Sequence, residues 1–312
     1  TQTMYYRHIA ISTLNLKACS ATSNVVTISI NNVAAGTIDG TQTICNGGDP
    51  VEFTSTTDGT GSGTITYQWM SGNDNLTFTN IPGGLLVTYD PPVQTVTKYF
   101  KRVTTSTLNG KACSSESNVI TVIINVVNGG VIADDQTILN GTDAAAFTSS
   151  TDGSGSGTIT YQWEESTDNL TFTSIPSATL STYDPPVLSV TKYFRRIATS
   201  TLNAKACSAA SNTLLITVNE VDGGSIGSDQ IICSGDDPVS FNSLVNGTGS
   251  GTVSYHWESS TDSSTYTPIS GATQVIYDPG VLTQTTYYKR ITTTTQGLNT
   301  YTAESNVVKV IV

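Results

Sequence analysis

Apolar and polar residues alternate with period two along most of the chain, and no stretch of eleven residues keeps the apolar spacing of a helix. Clusters of Gly, Asn, Asp, Pro or Ser separate the alternating runs, as they do between short strands. In the middle of the chain this pattern predicts strands at 132–139, 144–150, 157–165, 170–175, 179–183, 190–199 and 211–219. An all-β fold is therefore predicted, with about seven strands in each unit.

One unit is copied along the chain at a spacing of 94 residues. The segment Gln42–Cys45 returns as Gln136–Leu139 and as Gln230–Cys233. Solenoid repeats are about 20 to 50 residues long, whereas a period of this size suits a domain with its own core. We therefore predict repeats at 37–130, 131–224 and 225–312, arranged as beads on a string.

Residues 1–36 match the end of a repeat, because Met4–Arg7 corresponds to Lys98–Lys101. We interpret this segment as the last two strands of a preceding repeat. A two-stranded ribbon alone is marginally stable in water. We therefore expect it to pack against something that precedes it or that comes from another chain.

Seven short strands in about 94 residues fit an immunoglobulin-like β-sandwich, which needs about 100 residues. The third predicted strand carries Tyr161, Gln162 and Trp163, and a sandwich of this type has its central tryptophan on that strand. The sixth carries aromatic residues at its start. The predicted core residues of the three repeats are Trp69, Trp163, Trp257, Tyr99, Tyr193 and Tyr287.

Charged residues make up only 12% of the chain, and the formal net charge is −11. Nucleic acid and anionic lipid both need a basic face, so neither is an expected partner. No apolar run approaches the roughly 20 residues that a membrane-spanning helix needs. We expect no direct membrane insertion in this segment.

Catalytic chemistry has little support in the sequence. The two histidines, His8 and His256, do not recur at the repeat spacing, and no known nucleophile or phosphate-binding motif is present. We predict no enzymatic activity and no cofactor. Weak calcium candidates are the carboxylates near one linker, Asp134, Asp135 and Asp222.

The five cysteines fall into two classes by their place in the repeat. The early class precedes the second predicted strand, and its three positions hold Cys45, Leu139 and Cys233. The late class lies in the predicted loop before the last strand, and its four positions hold Cys19, Cys113, Cys207 and Tyr301.

Three pairing schemes differ in how many cysteines they match with a residue that is not a cysteine. A bond inside one repeat, Cys45–Cys113, leaves Cys207 facing Leu139. Joining the late class to the early position of the next repeat leaves Cys113 facing Leu139. Joining the early class to the late class of the next repeat gives Cys45–Cys207 and matches Leu139 with Tyr301. We favour this third scheme, which implies an oxidising, extracellular setting. The Cys45–Cys113 bond and buried free thiols remain alternatives.

Several strings point to a family, among them Tyr-Gln-Trp at 161–163, Tyr-Asp-Pro-Pro at 183–186 and Thr-Lys-Tyr-Phe-Arg-Arg at 191–196. They resemble the tandem immunoglobulin-like repeats of giant Bacteroidota surface adhesins, including gliding-motility and biofilm adhesins. The resemblance implies an extracellular stalk on the cell surface that projects a distal binding element. Its expected partners are neighbouring repeats of the same or an adjoining chain, and surface glycans or other cells.

Two other functions fit the sequence. The first is a self-assembling extracellular filament subunit, in which residues 1–36 donate strands to an adjoining chain. The second is a glycan-binding or enzyme-accessory module.

Overall fold

The computed structural model describes residues 2–312, and every regular element in that range is a β-strand. The segment before the first complete repeat contains two hairpin-like pairs. Its strands are β1 (Met4–Tyr6), β2 (Ile9–Leu14), β3 (Lys17–Thr22) and β4 (Val26–Ile28), with β1 paired to β4 and β2 to β3.

The first repeat contains β5 (Val33–Ala34), β6 (Thr37–Asp39), β7 (Gln42–Cys45), β8 (Thr54–Thr57), β9 (Thr60–Gly61), β10 (Thr64–Gly72), β11 (Thr79–Asn80), β12 (Lys98–Leu108), β13 (Lys111–Glu116) and β14 (Ile120–Asn125). The second contains β15 (Val127–Asn128), β16 (Val131–Ala133), β17 (Gln136–Leu139), β18 (Thr148–Thr151), β19 (Ser154–Gly155), β20 (Thr158–Ser166), β21 (Thr173–Ser174), β22 (Lys192–Leu202) and β23 (Lys205–Asn219). The third contains β24 (Val221–Asp222), β25 (Ser225–Ile226), β26 (Gln230–Ile231), β27 (Ser243–Val245), β28 (Thr248–Gly249), β29 (Thr252–Ser260), β30 (Thr267–Pro268), β31 (Thr286–Gln296), β32 (Asn299–Glu304) and β33 (Val308–Ile311).

Two layers of strands form the first repeat. One sheet has the order β11, β10, β12, β14 and β7, with β13 also paired to β12. The other layer contains the pair β6 and β8 and continues through an antiparallel bridge between Phe53 and Tyr89. The consecutive strands β6 and β7 belong to different layers. β6 pairs antiparallel with β8 in one layer, and β7 pairs parallel with β14 in the other.

The larger sheet recurs in the other repeats as β21-β20-β22-β23-β17 and β30-β29-β31-β33-β26. In each of these sheets the strand that carries the tryptophan (β10, β20 or β29) lies beside the long strand β12, β22 or β31, and the last strand of the repeat lies beyond it. This order defines an immunoglobulin-like sandwich. The prediction of tandem all-β immunoglobulin-like domains is confirmed.

An aromatic cluster fills the centre of each sandwich. Trp69 and Phe53 are 0% exposed and Phe100 is 2% exposed. The ring centroid of Phe53 lies 5.8 Å from that of Trp69 and 4.9 Å from that of Phe100. Antibody domains pack this tryptophan against a disulfide between the sheets, and here an aromatic pair takes its place. Burial of each ring contributes about 2 to 3 kcal/mol.

The other two cores repeat this cluster as Phe147, Trp163 and Phe194, and as Phe241, Trp257 and Tyr288. Tyr288 differs from its counterparts by a phenol hydroxyl. Burial raises the pKa of Tyr288 to about 12.

The prediction of Tyr99, Tyr193 and Tyr287 as core residues was wrong. All three are half-buried and lie outside the core clusters. Buried and half-buried residues alternate along β12, and its buried positions include Phe100 and Arg102. Arg102 lies opposite Trp69 in the sheet. Tyr99 therefore faces the other side of the sheet, one residue out of phase with the core.

Several strand predictions also change. The strand expected at 132–139 is split into β16 and β17, and those expected at 144–150 and 170–175 are shortened to Thr148–Thr151 and Thr173–Ser174. The strand expected at 179–183 is reduced to a bridge between Phe147 and Tyr183. The last strand begins at Lys205 instead of 211, because Asn203 and Ala204 both adopt positive φ and close a tight hairpin. Cys207 therefore lies on a strand and not in a loop.

The chain forms two compact units. The first contains residues 2–127, 154–159 and 199–208, so part of the second repeat belongs with the first repeat. The second contains residues 128–153, 160–198 and 209–312. Among residues 2–312, no helix is long and apolar enough to cross a membrane.

Candidate functional site at the repeat junctions

Asn125 ends the first repeat, and its side chain binds the β22–β23 hairpin of the second within the first compact unit. Its Nδ2 donates to the carbonyl oxygens of Ser200 at 2.8 Å and Lys205 at 2.9 Å. The hydroxyl of Ser200 donates to Asn125 Oδ1 at 2.7 Å. Asn125 is 0% exposed, so these bonds replace all of its contacts with water.

The same arrangement joins residues 4–31 to the first repeat. Asn31 Nδ2 donates to the carbonyl oxygens of Ser106 at 2.7 Å and Lys111 at 2.9 Å. Ser106 Oγ donates to Asn31 Oδ1 at 2.7 Å. A junction asparagine thus recurs at the repeat spacing with the same three hydrogen bonds.

A serine from the Gly-Ser-Gly segment holds the linker at the same place. The backbone of Ser156 donates to Val126 O at 2.9 Å, and Val126 N donates to Ser156 Oγ at 3.0 Å. The flanking Gly155 is needed for this approach, because a Cβ there would lie 2.6 Å from Ser200 Cβ and 2.8 Å from Val126 O. The equivalent pairs Asn32 with Ser62 and Glu220 with Ser250 make the same two bonds.

Asn219 occupies the junction position before the third repeat, in the second compact unit, but its side chain is unpaired. It is 0% exposed, and neither its Nδ2 nor its Oδ1 has a hydrogen-bond partner among residues 2–312. Thr294 stands where Ser106 and Ser200 stand in the earlier copies, and its hydroxyl accepts from Gly251 N at 2.9 Å. An unpaired buried amide costs about 1 to 3 kcal/mol.

A disulfide joins the first repeat to the second. It links Cys45, at the end of β7, to Cys207 on β23, with a Cα–Cα distance of 5.6 Å. This is the pairing that the cysteine positions favoured, and Cys113 is a free thiol. Nearby, Asn203 Nδ2 donates to Thr43 Oγ1 at 3.1 Å. The bond and the amide contact both lie in the first compact unit.

The corresponding place between the second and third repeats has Leu139 and Tyr301. The Tyr301 hydroxyl donates to the carbonyl oxygen of Thr137 at 3.0 Å. Early and late positions of consecutive repeats therefore come together in both compact units, with a covalent bond in one and a hydrogen bond in the other. Three further cysteines are free, namely Cys19, Cys113 and Cys233.

A buried arginine occupies each sandwich, and the sequence analysis did not predict it. Arg102 is 0% exposed and donates from Nη1 to Ser55 Oγ and to Val87 O at 2.7 Å. Its guanidinium lies 4.6 Å above the ring of Tyr67. Burial lowers the pKa of Arg102, while the nearby Tyr67 and Asp58 oppose that shift. The equivalents Arg196 and Arg290 are also 0% exposed.

A carboxylate caps the turn after the tryptophan strand in each repeat. Asp168 accepts from the backbone N–H groups of Leu170 and Thr171, both at 2.8 Å, and from Ser166 Oγ. These bonds stabilise the charged form and hold the pKa of Asp168 at about 2. The pKa values of Asp74 and Asp262 are lowered by the same kind of backbone bonds.

Two of the three weak calcium candidates accept backbone hydrogen bonds. Asp135 Oδ1 accepts from Leu215 N at 2.8 Å, and Asp222 Oδ1 accepts from Gly224 N at 2.6 Å. Asp134 lies beside Asp135 in the segment between β16 and β17. Across residues 2–312, no group of three or more His, Cys, Asp or Glu side chains is arranged to hold a metal ion. His256 lies 3.4 Å from Glu258 on the outer face of β29, and His8 is exposed near β2.

Apolar side chains of residues 4–28 face solvent. Tyr6 is 48% exposed, Val26 58% and Ile28 50%. The corresponding residues of the first repeat, Phe100, Ile120 and Val122, are at most 2% exposed because the opposite sheet covers them.

The sheets and junctions define a class of protein: tandem immunoglobulin-like domains with recurring contacts between consecutive repeats. The chain belongs to the family described as "Domain of unknown function (DUF8696)", which matches residues 34–126, 128–220 and 222–312. No curated protein has a significantly similar sequence.

Three solved structures of similar form are remote in sequence. Three N-terminal domains of the bacteriophage RB49 Highly Immunogenic Outer Capsid protein align with 13% identity and a TM-score of 0.38, covering 91% of this chain and 99% of that one. Titin domains A168–A170 align with 11% identity and a TM-score of 0.33, covering 90% and 98%. Extracellular domains 3–5 of Drosophila OTK align with 12% identity and a TM-score of 0.31, covering 88% and 95%. At TM-scores this low, the fold assignment follows from the strand order alone.

Proposed function

We propose that the chain is a non-catalytic extracellular stalk segment of a large, repetitive adhesin of the Bacteroidota type, which projects a distal binding element. The observation that carries this proposal is the recurrence of the junction contacts. Asn31 and Asn125 make the same three hydrogen bonds to the following repeat. Contacts repeated in this way add length copy by copy, which is what a spacer requires.

Location outside the cell is supported by the Cys45–Cys207 bond, since structural disulfides persist mainly in oxidising compartments. The sparse charge of the surface, with 12% charged residues, suits a spacer that makes few specific contacts. The arginines and the aspartates with shifted pKa values serve the cores and turns. A scaffolding role therefore accounts for the titratable groups without a catalytic function.

The test changes the copy number in the parent protein. Duplication of residues 131–224 adds one repeat, and a strand of about ten residues rises about 33 Å, so the reach of the tip grows by a few nanometres. We expect tip affinity to stay unchanged while the height of the tip above the cell, measured by super-resolution imaging, increases. Loss of binding by the isolated tip, or antibody labelling of the chain only after cell lysis, would refute the proposal.

A second candidate is a self-assembling filament subunit, in which the N-terminal segment donates strands to an adjoining chain. Electron microscopy of the purified chain separates the two candidates. A stalk gives single threads, whereas a subunit gives uniform fibres that a charged substitution such as Val26→Lys abolishes.

A further inference from the structure

We propose that the Cys45–Cys207 bond limits how far the chain extends under tension, so that it acts as a covalent stop that reduction releases. The inference deepens the proposed stalk function, because a stalk that joins a cell to a surface carries load. It rests on the connectivity of the disulfide and on the residues that occupy the same place at the next junction.

A load applied to the two ends follows the shortest covalent path. From the N-terminal side it runs along the backbone to Cys45, crosses the disulfide and leaves through Cys207. The bond joins residues 162 positions apart in sequence while their Cα atoms lie 5.6 Å apart. The backbone between them forms a closed loop outside the load path.

The closed loop holds most of two repeats. It contains both aromatic clusters around Trp69 and Trp163, and both buried arginines, Arg102 and Arg196. The strands that remain on the load path include β7, which is paired in parallel with β14, and the end of β23, which is paired in parallel with β17. Even if tension strips these strands from their sheets, the loop adds no length while the bond is intact.

The hidden length is large compared with the folded protein. A fully extended chain spans about 3.3 to 3.6 Å per residue, so the 162-residue separation conceals about 55 nm of contour. Reduction therefore about doubles the length that the 312-residue chain can reach when fully unfolded.

The next junction lacks this stop. Tyr301 instead donates a hydrogen bond to Thr137 O, two residues before Leu139, and this bond breaks when the third repeat unfolds. A disulfide there would span residues 139 to 301 and would overlap the loop from 45 to 207. The chain thus combines one span of fixed length with one that lengthens under load.

Release of the stop is ordinary thiol–disulfide exchange. A thiolate of a dithiol such as dithiothreitol attacks one sulfur and forms a mixed disulfide, and the other protein sulfur leaves as a thiolate. The second thiol of the reagent then displaces the remaining protein sulfur. The protein gains two thiols, and the reagent is oxidised to its cyclic disulfide.

The experiment pulls single molecules of the whole chain in optical tweezers, through enzymatically attached terminal handles, after the free thiols have been alkylated. We expect dithiothreitol to add about 55 nm to the final contour length of the wild-type chain. The matched control is Cys45→Leu with Cys207→Tyr, the residue pair present at 139 and 301. It should reach the long contour without reductant and gain nothing from dithiothreitol.

A wild-type chain that reaches its full contour before reduction, or gains none after it, would overturn the inference. The result is independent of cellular location and of any ligand. Failure here would therefore leave the stalk function open, while a failed copy-number experiment would leave the extension stop intact.

Discussion

Tyr301 donates a hydrogen bond to the carbonyl oxygen of Thr137 at 3.0 Å, at the place where the preceding junction has a disulfide. Early and late positions of consecutive repeats thus meet whether or not they carry cysteine. The proximity of the two positions depends on the recurring sheets and on the hairpin that carries the late position, and not on the covalent bond.

This geometry predicts that Leu139→Cys combined with Tyr301→Cys forms a second disulfide. The backbone positions correspond to Cys45 and Cys207, whose Cα atoms lie within the range that a disulfide can span. Alkylation under non-reducing conditions should detect no new reactive thiol, and peptide mapping should recover the 139–301 pair. Each single variant, which should add one reactive thiol, is the control. Two reactive new thiols in the double variant would contradict the prediction.

Asn125 and Asn219 form a matched pair for the junction contacts. Asn125→Leu removes three hydrogen bonds, including the amide donor to the carbonyl groups of Ser200 and Lys205, so we expect a loss of about 2 kcal/mol or more in the free energy of unfolding. Asn219→Leu removes an amide that has no partner, and its effect should be neutral or stabilising. Urea unfolding followed by tryptophan fluorescence measures both. Equal losses in the two variants would show that the hydrogen bonds of Asn125 do not matter.

Arg102→Met should destabilise the first repeat by about 2 to 4 kcal/mol. The change keeps most of the apolar stem but removes the guanidinium donors to Val87 O and Ala35 O, of which Ala35 O keeps its hydrogen bond from the Thr104 hydroxyl. Arg102→Lys keeps the charge, yet a single ammonium cannot serve both carbonyl groups and lie flat on Tyr67, so it should restore only part of the loss. Hydrogen exchange of the amides in β10 and β12 localises the effect. Full recovery by lysine would mean that charge, and not geometry, is what the site requires.

Asp168→Ala should reduce stability at neutral pH but have a much smaller effect at pH 2. The pKa of Asp168 is about 2 in the folded protein and about 3.9 in the unfolded chain. Its negative charge therefore stabilises the fold fully at pH values above about 4. The contribution is lost as the pH falls from about 4 through the folded pKa. Urea midpoints of the variant and the wild type at pH 7, 4 and 2 provide the check. A difference between them that does not change with pH would contradict the assignment.

Recurrence made much of the fold predictable from the sequence. Trp69, Trp163 and Trp257 return at a fixed spacing within alternating strands, and this pattern indicated both the sandwich and its centre. The cysteine pairing could be ranked because Leu139 and Tyr301 are substituted together.

The same reasoning gave the wrong core residue where two aromatic residues are adjacent. Tyr193 and Phe194 stand side by side, and alternation alone does not say which of them faces inward. Arg196 lies two residues beyond Phe194 and shares its face, which was the signal that would have fixed the phase. It was overlooked because charged residues are rarely fully buried. Asn125 was missed for a related reason, since its partners lie in the next repeat, 75 to 80 residues away.

The pairing of Phe53 with Phe100 in place of a cystine has a consequence for biogenesis. Each sandwich has a complete hydrophobic centre without oxidation, so we expect the domains to fold while every thiol is still reduced. Bond formation then comes last, between sulfurs that two finished neighbours have already brought together. Similar repeats contain several cysteines that could form incorrect disulfides. If the domains fold first, Cys45 and Cys207 already lie together, and the oxidant joins this pair.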